Sequence, residues 1–154
     1  FPVVFIDWNG NGNRTMINLD REETFVVKVP SNKVVKITGE NGLWTVKAVD
    51  QSVTEAKTST ASILQHLYLD KNLLGQPGNG GSDFKTNREL KTLSVSSNYY
   101  KTLVVKENKN LEKLNASSNL LENIDLTGLS HLVDLDLSKN LFVGPLSPRI
   151  IMRT

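Results

Sequence analysis

The sequence predicts a mostly β or α/β-type chain: a short solenoid of about four 21-residue coils behind a small antiparallel β unit. Three observations predict it. Residues 1–60 hold ten Val and two Leu, whereas residues 61–154 hold five Val and nineteen Leu. A nine-residue phrase recurs four times in the second half without internal gaps. Asn-Gly pairs separate short apolar runs in the first half, the punctuation of tight hairpins rather than of helices.

Composition narrows the classes of function. At 154 residues the chain has room for one ordinary domain or two small ones. Eighteen Lys and Arg face sixteen Asp and Glu, a formal charge of +2, which gives no basic footprint for nucleic acid. With no cysteine, disulfides, zinc-thiolate clusters and thiol nucleophiles are excluded. The apolar runs are only a few residues long, too short for a membrane-spanning segment. Beginning at Phe1 rather than Met, the chain is expected to be a processed or trimmed one.

Val favours extended chain because its branched Cβ fits a pleated surface, so residues 1–60 are expected to form strands. Val3 to Trp8 is followed by Asn9-Gly10-Asn11-Gly12 and by a second apolar alternation at Met16, Ile17 and Leu19. Phe25 to Val29 and Val34 to Ile37 flank Pro30-Ser31-Asn32-Lys33, a second hairpin signal. Asn41-Gly42 leads into Leu43, Trp44, Val46 and Ala48, the fifth strand of the unit. The polar stretch from Gln51 to Ser62 marks the boundary, giving domains of 1–60 and 61–154.

The phrase in the second half is LxxLxLxxN, with Val or Ala allowed at the third apolar place. It occurs at Leu64–Asn72, Leu90–Asn98, Leu111–Asn119 and Leu132–Asn140, with starts 26, 21 and 21 residues apart. The longer interval contains Gly75 to Ser82, a flexible insertion that leaves the later phase undisturbed. A period of about 20–29 residues with this phrase is that of the leucine-rich repeat. On a short strand the two inner Leu face one way and alternate residues the other, so stacked coils place their strands in a parallel sheet. Asn72, Asn98, Asn119 and Asn140 stand where the chain turns inward, and their amides are expected to satisfy buried backbone groups. Leu103 and Val105, then Ile124 and Leu126, form a second inward set on the return side. In the fourth coil Pro145 and Ser147 occupy those places, so the pattern breaks there.

The run from Leu111 to Asn140, LEKLNASSNLLENIDLTGLSHLVDLDLSKN, resembles the short leucine-rich repeats of surface proteins in Bacteroidetes and other gut bacteria, broadly internalin-like. The resemblance covers roughly residues 61 to 146. It implies an extracellular or surface-attached protein that binds protein or glycan. The DLSKNLFVGPL stretch is also similar to plant receptor repeats, whose period is nearer 24 residues with a more regular Gly-x-Ile-Pro turn; the bacterial likeness is the better one.

Few residues suggest chemistry. Asp7 to Gly12 reads D-x-N-x-N-G, the opening of a calcium loop, but position twelve is Asn18 where a bidentate Glu is required. Two Asn-Gly pairs in a hairpin account for the same letters. His66 and His131 fall at different places in their repeats, and neither a nucleophile elbow nor a phosphate-cradling loop is present. No catalytic residue, no metal site and no cofactor is therefore assigned.

What remains is the outward face of the strands. By alternation it presents His66, Tyr68 and Asp70, then Thr92, Ser94 and Ser96, then Lys113, Asn115 and Ser117, then Asp134, Asp136 and Ser138. The candidate binding residues on this concave face are His66, Tyr68, Asp70, Lys113, Asn115, Asp134 and Asp136. A recognition or adhesion module holding a protein or glycan ligand is the leading expectation. A structural spacer or stalk with no ligand, and a calcium-dependent accessory domain, are the alternatives.

Overall fold

The computed structural model describes residues 3–7, 13, 15–18, 36–39, 45–59, 61–78, 84–143 and 150–151. Every regular element among them is a strand, and the chain divides into two compact units, Phe1–Leu43 and Trp44–Thr154.

The first unit contains a three-stranded antiparallel sheet. Strand β1 (Val3–Asp7) lies between β2 (Thr15–Asn18) and β3 (Lys36–Gly39). Val4 faces Ile17 on one side and Gly39 on the other. The expected pairing of β1 with the Met16–Ile17 run is present. The Asn-Gly turn at 9–12 and the Phe25–Val29 strand fall outside the described residues.

The second unit is a parallel-strand solenoid. Its sheet is built from β4 (Thr45–Lys47), β5 (His66–Tyr68), β6 (Thr92–Ser94), β7 (Lys113–Asn115) and β9 (Asp134–Asp136), in that order. The register stacks Val46, Leu67, Leu93, Leu114 and Leu135 in one row. Leu67 and Leu93 are fully buried and Leu114 is 1% exposed, so the row is the spine of the core. The register also shows that the insertion between Gly75 and Ser82 costs no phase, because Leu67 still meets Leu93 directly.

Strand β4 corrects the expected division. Composition places Leu43 to Ala48 in the antiparallel unit and the boundary at residue 60. Instead Thr45 pairs in parallel with His66, and the solenoid unit starts at Trp44. The reason lies in the letters: LWTVKAVDQ from Leu43 to Gln51 is a fifth copy of the phrase, with Val and Ala for the two inner Leu and Gln for Asn. It stands 21 residues before Leu64.

The turn after each strand is held by the asparagines. Asn119 is typical: its Nδ2 donates to Val95 O of the preceding coil at 3.0 Å and to Ala116 O of its own at 3.1 Å, while its Oδ1 accepts the Tyr100 N–H at 3.0 Å. Asn98 and Asn140 repeat the arrangement one coil before and one coil after. Asn72 does the same toward Ala48 and accepts two N–H groups, from Gln51 and Val53. Each amide thus links two coils and satisfies groups that water cannot reach. The longer Gln51 folds back on its own Val49 and Asp50 carbonyls instead. The residue before each of these amides adopts a left-handed conformation, with φ between 53° and 56° at Asp50, Lys71, Ser97, Ser118 and Lys139.

On the return side Leu103, Val105, Ile124 and Leu126 are buried as their spacing predicts. Here β8 (Ile124–Asp125) pairs in parallel with β10 (Ile150–Ile151), Ile124 against Ile150. That is a step of 26 residues rather than 21. Beside these segments runs a second amide row that the LxxLxLxxN phrase does not contain. Asn87 and Asn108, both fully buried, donate Nδ2 to the carbonyls of Thr58 and Ala61 and of Phe84 and Asn87. Both stand three residues before the next coil's first Leu, in TNREL and ENKNL, and that shared offset is their signal in the sequence.

Candidate functional site

The outward sheet face is built from rows that cross the coils. Position three of the phrase contributes Thr45, His66, Thr92, Lys113 and Asp134. Position five contributes Lys47, Tyr68, Ser94, Asn115 and Asp136. Thr45 and Lys47 join this face because β4 belongs to the sheet. The strands end at position five, so Asp70, Ser96, Ser117 and Ser138 lie just beyond them, on the turns rather than on the strands.

The face is organised in two different ways at its two ends. Around Tyr68, side chains from three coils interact. Lys47 Nζ lies 5.7 Å from the centre of the Tyr68 ring, a cation over an aromatic face. His66 Nδ1 meets Thr92 Oγ1 at 3.0 Å. Asp70 Oδ1 accepts three bonds from the next coil: Ser94 Oγ at 2.6 Å, Ser96 Oγ at 2.7 Å and Ser96 N at 2.8 Å. No hydrogen bond to Asp70 Oδ2 is formed among the described residues, so one oxygen fixes the carboxylate and the other is unengaged. These contacts leave Ser94 only 9% exposed, although alternation expects an outward, solvated residue there.

Toward β9 the bonds are local. Asn115 Oδ1 accepts the Ser117 N–H and hydroxyl, at 3.0 and 2.7 Å. Asp136 Oδ1 accepts the Ser138 N–H at 2.9 Å. The Ser138 hydroxyl and then its N–H hold the Asp136 carboxyl below the usual range; burial opposes them, and Lys139 and the Ser117 hydroxyl add smaller pulls in the same direction. Lys113 and Asp134 are exposed neighbours across β7 and β9. The structure therefore gathers His66, Tyr68 and Asp70 into one corner. It leaves Lys113, Asn115, Asp134 and Asp136 as a more solvated strip.

The remaining motifs are not part of this sheet. Of the calcium-like run, Asp7 is the last residue of β1, opposite Lys36, and residues 8–12 lie outside the described residues. His131 is exposed, its Nδ1 at 3.2 Å from Lys109 O. Among the described residues no three His, Asp or Glu side chains group as metal ligands, and no helix is long and apolar enough to cross a membrane.

Fold and face together define a parallel-strand repeat solenoid with a polar outward sheet face that carries an aromatic ring and a fixed carboxylate. No protein-family model, no curated protein and no solved structure matches the chain.

Proposed function

We propose that this is a non-catalytic recognition or adhesion module of the leucine-rich-repeat kind, displayed outside the cell and holding a protein or glycan on its concave sheet. It belongs with the short repeats of bacterial surface proteins that residues 111 to 140 resemble. The observation that carries this reading is the Tyr68–Asp70 corner. Three donors from the next coil hold the Asp70 carboxylate in place, yet its second oxygen takes no bond among the described residues. A preorganised, unengaged acceptor beside an aromatic ring is what a recognition surface needs, because little side-chain freedom is lost when a ligand arrives.

Pull-down of surface extracts and screening on protein and glycan arrays, with the intact chain and with a Tyr68→Ala/Asp70→Ala/Lys113→Ala/Asp134→Ala variant, tests the proposal. Ligands captured by the intact chain and lost by the variant support it. Capture that is identical for both forms removes the concave face from consideration. A chain that captures nothing in either form is a spacer or stalk that presents other domains.

A further inference from the structure

We infer that the corner formed by Lys47, Tyr68, Asp70 and Ser94 is a subsite for a neutral sugar ring, stacked on Tyr68 and hydrogen-bonded to Asp70 Oδ2; this rests on the concave face being the recognition surface. The argument begins with the neighbours of Tyr68 along its row. On the β4 side Lys47 lies over the ring. On the β6 side stands Ser94, whose short side chain is turned into its bond with Asp70. The large Tyr68 ring thus stands beside a small, tied-down residue one strand spacing away, about 4.8 Å between backbones. A flat apolar C–H face of a sugar fits against such a ring, as apolar surface does on an aromatic plane.

Charge decides between ligand classes. A cationic side chain would seek the Tyr68 ring and the Asp70 carboxylate, but Lys47 already supplies the cation at the ring. An anionic ligand would meet the carboxylates of Asp70 and Asp136. Past Tyr68 its own row runs through Ser94 and Asn115 and the turns beyond through Ser96 and Ser117, all uncharged with hydroxyl or amide groups, while Lys113 lies in the parallel row of His66. A polyhydroxylated neutral ligand matches that lining. An ionised carboxylate oxygen is also a strong acceptor for sugar hydroxyls, since charge-assisted bonds are about twice as strong as neutral ones.

The test uses the full chain and soluble, structurally defined neutral oligosaccharides of glucose, mannose, galactose and xylose, read by NMR shift changes and calorimetry. At least one series is expected to bind. Tyr68→Ala and Asp70→Asn are each expected to weaken it by about tenfold, equivalent to about 1.4 kcal/mol. Asp70→Asn is the informative variant: its Oδ1 still accepts from Ser94 and Ser96, while the amide nitrogen replaces the free acceptor, so a folding defect is avoided. Asp125→Asn, in β8 on the return side of the coils, is expected to leave binding unchanged. Absence of any saccharide binding, or binding indifferent to Tyr68→Ala and Asp70→Asn, overturns the inference. An arginine-rich peptide or a protein bound in place of sugars, with the same two sensitivities, overturns the sugar and leaves the concave-face reading standing.

Discussion

The Thr58 hydroxyl donates to the amide oxygen of Asn87 at 2.6 Å, and one coil later the same amide position, Asn108, has no such donor. The residue equivalent to Thr58 in that coil is Phe84, three residues before Asn87 as Thr58 is three before Ala61. Among the described residues Asn108 Oδ1 is consequently buried without a partner, while its Nδ2 serves two carbonyls that already accept backbone N–H groups from Asn87 and Leu90.

The two asparagine rows should therefore respond differently to substitution. Asn119→Leu removes the acceptor of the Tyr100 N–H and the donor to Val95 O, both bonds between coils, and is expected to cost about 2–4 kcal/mol. Asn108→Leu removes an orphaned oxygen along with its bonds, and Leu129 occupies the corresponding place in the following coil. Its expected effect is within about 1 kcal/mol of zero. Urea unfolding of both variants checks the contrast; equal losses would show that the two rows are alike.

The leucine spine gives a graded series. Leu93→Ala and Leu114→Ala each open a cavity in the closed part of the core and are expected to cost about 3–5 kcal/mol. Leu135, in the same row, is only half-buried, and Val133, Leu141 and Val143 around it are exposed, Val133 by 83%. Leu135→Ala should therefore cost about half as much, because less apolar area leaves water there. A loss at Leu135 equal to that at Leu93 would contradict the open edge.

Backbone geometry separates two glycines. Gly75 has φ +82°, and a Cβ there would lie 2.9 Å from the Tyr99 carbonyl carbon and oxygen. Gly78 has φ +87° with open space around it. Gly78→Ala is expected to cost only the left-handed penalty of about 1–2 kcal/mol, and Gly75→Ala clearly more, because the Tyr99 backbone must shift as well. Thermal unfolding midpoints of the two variants give the comparison.

Stability should fall in acid through two named carboxylates. The Thr127 hydroxyl and N–H hold the Asp125 carboxyl below its usual range, with Lys106 and Lys109 adding to this against a small opposing effect of burial. Asp136 is lowered chiefly by Ser138. A carboxyl whose folded pKa is depressed contributes stability above its unfolded value, about 3.9 on the ordinary scale, and loses it as the pH falls through the folded value. The contribution of these two carboxylates to the unfolding free energy is thus expected to be flat from neutral pH down to about 5 and to drop below about 4. The Asp125→Asn/Asp136→Asn variant should show a shallower drop, measured by urea titration at several pH values.

The solenoid was legible wherever the inner positions were Leu. Leu67, Leu93, Leu114 and Leu135 announced their row, because a large apolar side chain returning at a fixed interval must meet its own copies in one core. The first coil escaped because Val46, Ala48 and Gln51 are letters a β-strand and its turn would also use; parallel pairing with β5, a tertiary fact, distinguishes them. At the candidate site the residues facing outward were legible from alternation, and Tyr68 and Asp70 were among them. That Asp70 is fixed through one oxygen by Ser94 and Ser96 was not, since those bonds span 24 and 26 residues and depend on how adjacent coils align.

In the solenoid sheet each strand is hydrogen-bonded only to its neighbours in the stack, from β4 through β9. Tension applied along the stacking axis therefore loads the junctions between coils in series, and the weakest end yields first. A detached coil of 21 residues releases about 7 nm of chain at roughly 3.4 Å per residue. Under a pulling force this unit would lengthen as a ratchet of short yields, a tether that dissipates load instead of snapping.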